Sequence, residues 1–159
     1  MIITLTICKL MGNQREYIPS GGFAAYLYEN HPDWKPITIN GIRAKVVKLK
    51  TDKTGYHSGL PTYANTSGMY LRLNRNGEVI QAKLYISRKQ CIDFDWGHQH
   101  KNVGGDGKVF AKGVVHVQQY DANNITIRHS DNARLMTDSE IKKYGAILKA
   151  FNPNVKFRP

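Results

Sequence analysis

Between Met69 and Ile86 the chain alternates in the way that a β-hairpin requires. Met69, Leu71 and Leu73 interleave with Tyr70, Arg72 and Asn74, and Ile80, Ala82, Leu84 and Ile86 interleave with Gln81, Lys83 and Tyr85. Successive side chains of a strand point to opposite faces, so each run has one apolar and one polar side. Arg75-Asn76-Gly77 carries the Asn-Gly signal of a tight turn between them. The expected product is an antiparallel pair with one greasy face and one basic, wet face. The greasy face demands a second layer to cover it.

The flanking segments suggest what that layer is. Thr137-x-x-Glu140 is a capping-box pattern, and it opens a helix on which Ile141, Tyr144 or Gly145, Leu148 and Phe151 share one face. Pro153 lies beyond its end. Gly113 to Tyr120 reads as a third β segment and Ile125 to His129 as a fourth, joined by Asp121-Ala-Asn-Asn124. Upstream, Tyr17 to Trp34 suggests a short helix ended by His31-Pro32, followed by an Asn40-Gly41 turn and a β-prone Ile42 to Lys50. Residues 51–67 and 93–112 read as loops, the first rich in Gly, Thr, Ser and Pro. The expectation is an α+β fold: an antiparallel β-meander sheet with helices packed on one face. All 159 residues fit a single domain. The apolar start, Met1 to Cys8, reads as a strand or a remnant of a joining segment rather than a signal peptide.

Charge narrows the partner. Twenty-three basic residues against twelve acidic ones give a net +11, and no acid follows Glu140. Such a charge concentrates polyanions, which points to nucleic acid, and acid/base chemistry at the histidine cluster, acting on a ribose 2′-OH, favours RNA over DNA. Solubility alone is the plainer explanation. No stretch approaches the ~20 apolar residues of a membrane span. The two cysteines, Cys8 and Cys91, form neither a disulfide framework nor a zinc-type spacing.

Chemistry concentrates in Asp93-Phe94-Asp95-Trp96-Gly97-His98-Gln99-His100, with His116 following a glycine-rich stretch. Three of the six histidines fall between positions 98 and 116. If Val115 and Val117 face the core, His116, Gln118 and Tyr120 stand on the open polar face, beside Arg72 and Lys83 of the hairpin. Phosphodiester cleavage without metal would use one imidazole as base, a second group as acid and a lysine to stabilise the phosphorane. The candidates are His98, His100, His116, Asp95 and Lys112. Arg72, Lys83, Lys101, Lys108, Gln118 and Tyr120 are the candidate nucleic-acid contacts, with Tyr70, Tyr85 and Trp96 as stacking platforms. No cofactor is then needed. The alternative is a divalent metal held by Asp95, His98, His100 and His116, since mixed carboxylate and imidazole sites suit zinc, manganese or iron. The plainest alternative makes these histidines surface or capping residues and Trp96 a plug. His57 sits in the first loop, His31 at a helix end, and His129 shares a face with Ile125 and Ile127.

Gly59-Leu-Pro-Thr-Tyr-Ala-Asn-Thr66, the hairpin, Asp93-x-Asp-Trp-x-His98-x-His100, Lys112-Gly-Val-Val-His-Val-Gln118, Lys143-Tyr144-Gly145 and Phe151-Asn-Pro-Asn154 occur in that order. Together they resemble the C-terminal domains of secreted bacterial polymorphic toxins. They are also similar to domains at the ends of phage minor head proteins of gut Bacteroidetes and Firmicutes. The resemblance spans roughly residues 55–159. It implies a small ribonuclease-like toxin domain of barnase- or RelE-like fold, with Asp95, His98, His100 and His116 at the motif positions. It further implies a cytoplasmic site of action after delivery within a secreted or phage-borne protein, and an immunity protein as partner. The competing expectation is a non-enzymatic phage or mobile-element protein that binds nucleic acid or a protein through the same basic face.

Overall fold

The computed structural model describes residues 25–51 and 59–159. Met1 to Cys8, most of the helix expected over Tyr17 to Trp34, and His57 lie outside the described residues. Ten strands are described: β1 (Tyr28–Asn30), β2 (Ile37–Ile39), β3 (Ile42–Leu49), β4 (Gly68–Leu73), β5 (Val79–Ile86), β6 (Lys89–Asp95), β7 (His100–Lys101), β8 (Val109–Phe110), β9 (His116–Gln119) and β10 (Arg134–Leu135). One helix, α1 (Asp138–Phe151), follows them.

Eight strands form one sheet in the order β1-β3-β4-β5-β6-β9-β10, with β2 pairing β3 as well. It is antiparallel except where β3 runs parallel to β4, Ala44 opposite Met69. The architecture is α+β, as the patterning implies. The 69–86 hairpin forms as expected, with Leu71 opposite Ala82 and a register shift between Arg72 and Leu73. Its turn is held by the Asn74 Oδ1, which accepts from the amides of Asn76 and Glu78 at 2.9 Å each. Asn40 and Gly41, both at positive φ, close the β2–β3 hairpin.

The apolar face carries the main core. Leu71, Ala82, Phe94, Val115 and Val117 line it and are nearly inaccessible. Across from them, α1 presents Tyr144, Ile147, Leu148 and Phe151, with the Tyr144 ring 5.3 Å from that of Phe94. The capping box is made in full: Glu140 N donates to Thr137 Oγ1 at 3.1 Å and Thr137 N to the Glu140 carboxylate at 2.9 Å. Glu140 also pairs with Arg134 of β10 at 2.6 Å, which ties the helix start to the sheet edge.

Four expectations need correcting. Residues 93–95, expected to start a loop, end a strand of the main sheet, Lys89–Asp95, entered through Ser87-Arg88 at positive φ. Ile125 to His129 is not a strand, and only an isolated bridge joins Tyr120 to Arg128. The described end of the expected first helix is a single 3₁₀ turn, Ala25–Leu27, leading into β1. Finally, the polar face is not open. Tyr70, Tyr85, Lys83, Gln81, Asp93, Gln118 and His116 are all buried. Tyr28, Leu60 and Ala64 pack on Tyr70 and Tyr85 there, in a second small core. The Tyr85 hydroxyl donates to Pro61 O at 2.6 Å, so the tyrosines serve packing rather than base stacking.

Candidate functional site

The polar face divides into two parts. In its middle, buried charges satisfy one another, as buried charges must. Asp93 is the hub: it accepts from Tyr120 Oη at 3.1 Å and Gln81 Nε2 at 3.3 Å, and pairs with Arg128 Nε at 3.1 Å. Lys83 Nζ donates to Gln90 Oε1 at 2.8 Å and lies 4.0 Å from Asp93. Arg72 donates to Gln81, and Gln118 accepts from Arg128. Burial lowers the Lys83 pKa, against the raising effect of Asp93. Arg72, Lys83, Gln118 and Tyr120 therefore hold the second layer together and do not form the expected basic groove.

At the β6–β9 end lies the histidine centre. Asp95 on β6 stands opposite His116 on β9. The chain turns at Gly97, whose amide donates to Asp95 Oδ1 at 3.0 Å. A Cβ at Gly97 would sit 2.8 Å from the Ile80 side chain, so this turn needs glycine. Trp96 is buried, its Nε1 donating to Val79 O at 3.0 Å, and anchors the turn as a plug. His98 then folds back until its Nδ1 lies 3.3 Å from Asp95 Oδ1.

The β7–β8 hairpin brings in His100 and Phe110, which are paired across it. Ring centroids are 4.9 Å apart for His100 and His116, 5.2 Å for His98 and His116, and 6.2 Å for His98 and His100. Phe110 lies over His116 at 5.8 Å. One nitrogen from each imidazole falls within 4.8 Å of the other two. Phe110 also walls a neighbouring cavity of about 450 Å³, with Val109, Val114, Leu135 and Arg134.

Each ring sits in a distinct environment. The His98 side chain is 53% exposed, and its hydrogen bond to Asp95 raises its pKa. Burial pushes the Asp95 carboxyl up, but the His98 bond and charge, with the Gly97 amide, outweigh it and hold the carboxyl below its ordinary value. His116 is wholly buried, which lowers its pKa to about 4 despite the attraction of Asp95. Both of its ring nitrogens are buried without a hydrogen-bond partner. An unmade buried polar contact costs about 1–3 kcal/mol.

His100 is fixed by Asn102, a residue that sequence reasoning passed over. Asn102 is fully buried, and its amide pairs with both backbone groups of Ala133: Nδ2 donates to Ala133 O at 2.8 Å and Oδ1 accepts from Ala133 N at 3.2 Å. That two-point pairing orients the amide. Its oxygen then faces His100 Nε2 at 3.1 Å, and Ser130 O faces the same nitrogen at 2.8 Å. Two acceptors on one nitrogen require that Nε2 carry the proton, which leaves Nδ1 with its lone pair. Only the Asn-x-Gly-Gly-x-Gly spacing hinted at a tight loop there. The loop docks on the Ser130–Asn132 turn so closely that a Cβ at Gly105 would meet Asp131 O at 2.0 Å.

The lysines lie outside this centre. Lys101, Lys108 and Lys112 are exposed on the loop, Lys108 3.8 Å from Asp106. His129 pairs at 3.7 Å with Asp121, and His31 Nδ1 accepts from Asp33 N, so neither joins the cluster. No family model, curated protein or solved structure matches this chain. Among the described residues no helix is long and apolar enough to cross a membrane.

Proposed function

We propose that the chain cuts phosphodiester bonds of nucleic acid, RNA in preference to DNA, at the centre made by Asp95, His98, His100 and His116. One observation carries this reading: three imidazoles from two strands and a turn converge within 4.8 Å beside a buried carboxylate. Packing alone does not call for such a convergence, and perturbed titratable groups gathered in one place mark reactive sites. His98 is the most exposed of the three rings, with Asp95 fixing its tautomer so that Nε2 is the free nitrogen. His116 has no exposed surface, so it does not take a proton from a ribose hydroxyl directly. Exposed Lys101, Lys108 and Lys112 supply positive surface for phosphates near the centre. The likeness of residues 55–159 to polymorphic-toxin domains supports the same reading, and with it delivery to a target cytoplasm and an immunity partner.

A second reading, binding without cleavage, draws on the closed polar face: no open groove of Arg72 and Lys83 leads to the centre. End-labelled RNA and DNA, incubated with the purified chain, separate the two. Cleavage that is lost in His98→Ala and His100→Ala supports the enzyme. Tight binding of RNA with no cleavage by the native chain overturns it in favour of the binding module.

A further inference from the structure

We infer that His98, His100 and His116 bind one divalent transition-metal ion of the zinc class, with Asp95 and Asn102 as the groups that orient two of the ligands. The starting point is the unpartnered ring of His116. A wholly buried imidazole with neither nitrogen hydrogen-bonded is rare, and the rings of His98, His100 and Phe110 pack around it. A cation among the three nitrogens gives one of its two nitrogens a partner.

The hydrogen bonds around the other two rings suit ligation. A metal-bound histidine donates its remaining N–H to a carboxylate, carbonyl or amide oxygen, which fixes the tautomer and raises ligand basicity. His98 does this through Nδ1 to Asp95, leaving Nε2 free. His100 does it through Nε2 to Ser130 O and Asn102 Oδ1, leaving Nδ1 free. One nitrogen of each ring belongs to the cluster that holds His116. Asp95, one of the four ligands in the alternative metal reading of the sequence, instead stands behind His98 as its orienting carboxylate.

The donor set selects the ion. Three imidazoles and no oxygen ligand suit zinc, cobalt, nickel or copper, whereas magnesium and calcium need oxygen. Three protein ligands leave a fourth position for water or substrate, the pattern of catalytic rather than structural zinc. Nitrogens bound tetrahedrally at ~2.1 Å stand about 3.4 Å apart, so a spread of up to 4.8 Å asks for a small inward movement. His98, half exposed and on a turn, can supply it. The loop lysines do not oppose the ion strongly. Lys101 alternates with His100 on β7 and points the other way, and the Lys108 side chain is 71% exposed.

The site can be tested without reference to nucleic acid. The full chain, stripped with a chelator and dialysed, is titrated with Zn²⁺, with Co²⁺ and with Mg²⁺ as control, by calorimetry and visible absorption. One equivalent of Zn²⁺ should bind, Mg²⁺ should not, and Co²⁺ should give the intense visible bands of a four-coordinate ion. His98→Ala, at an exposed position that leaves the fold intact, should weaken binding at least tenfold, and Asp95→Asn by about 10–100-fold. Failure to bind Zn²⁺ or Co²⁺ overturns the inference, and so does binding that His98→Ala and His100→Ala leave unchanged. Zinc binding without any cleavage keeps the metal site and overturns the nuclease reading. Full cleavage by chelator-treated protein that binds no Zn²⁺ does the reverse.

Discussion

Asn102 is the residue on which the geometry of the centre depends, and its removal has a calculable cost. Asn102→Ala deletes four side-chain hydrogen bonds: two to Ala133, one to His100 and one to Asp106. Asp106 is exposed and turns to water, and His100 keeps Ser130 O at 2.8 Å. The loss therefore falls on the backbone N–H and C=O of Ala133, which is 3% exposed. Each orphaned buried group costs about 1–3 kcal/mol, so the variant should lose about 2–4 kcal/mol once some water penetrates. With a urea m-value of ~2 kcal/mol/M, the midpoint should fall by about 1–2 M with m unchanged. If the loop opens alone, the loss should appear instead as faster hydrogen exchange at the amides of Gly105 and Gly107, both bonded to Asn102 O. Asn102→Asp keeps the acceptor but turns a carboxylate on Ala133 O, and should fare no better. A stability change below ~0.5 kcal/mol, together with unchanged exchange at Gly105 and Gly107, would refute the keystone role.

Three further outcomes follow from the same geometry. Gly105→Ala should dislodge the loop, because its Cβ would meet Asp131 O at 2.0 Å, and limited proteolysis should cut between residues 100 and 110 where the native chain resists. Burial raises the Glu140 pKa but Arg134 and Thr137 outweigh it, leaving the group depressed. Its contribution is therefore present above the unfolded glutamate value and lost as pH falls through the lower folded one, so Glu140→Gln should be the less stable chain near neutrality and converge with the native chain in acid. RNA affinity should fall log-linearly with salt, and Lys101→Ala with Lys108→Ala should flatten the slope by about 1 for each phosphate that is no longer neutralised, as filter binding would measure.

Local rules carried much of the fold. The Met69–Ile86 alternation, the Asn-Gly turns and the Thr137–Glu140 box each specify a structure through nearest neighbours, and each forms as expected. The convergence of His98, His100 and His116 was also legible, because all three lie within one turn and two strands of the chain. Burial of the polar face was not. Lys83, Gln81, Asp93 and Gln118 sit at alternate positions, as residues of a wetted face would, and only their mutual pairing makes them tolerable inside. The segments covering them, around Leu60 and around Ile125, are irregular and carry no periodic signal. The end of strand β6 was hidden for the same reason, since Asp93 and Asp95 suggest a loop until their partners are known. Asn102 orients His100 through its pairing with Ala133, and Ser130 O holds the same His100 nitrogen directly, both about thirty positions along the chain, which no local pattern reports.

Side-by-side cleavage of labelled RNA by the native chain, by His98→Ala and His100→Ala singly, and by the variant lacking both imidazoles tests the central claim most directly. Groups that act as one unit lose activity non-additively. Each single variant should therefore fall about as far as the double, by roughly a hundred- to ten-thousand-fold if proton transfer or an activated water is lost. Cleavage that persists in both single variants, or two small losses that simply multiply in the double, would contradict a single histidine centre.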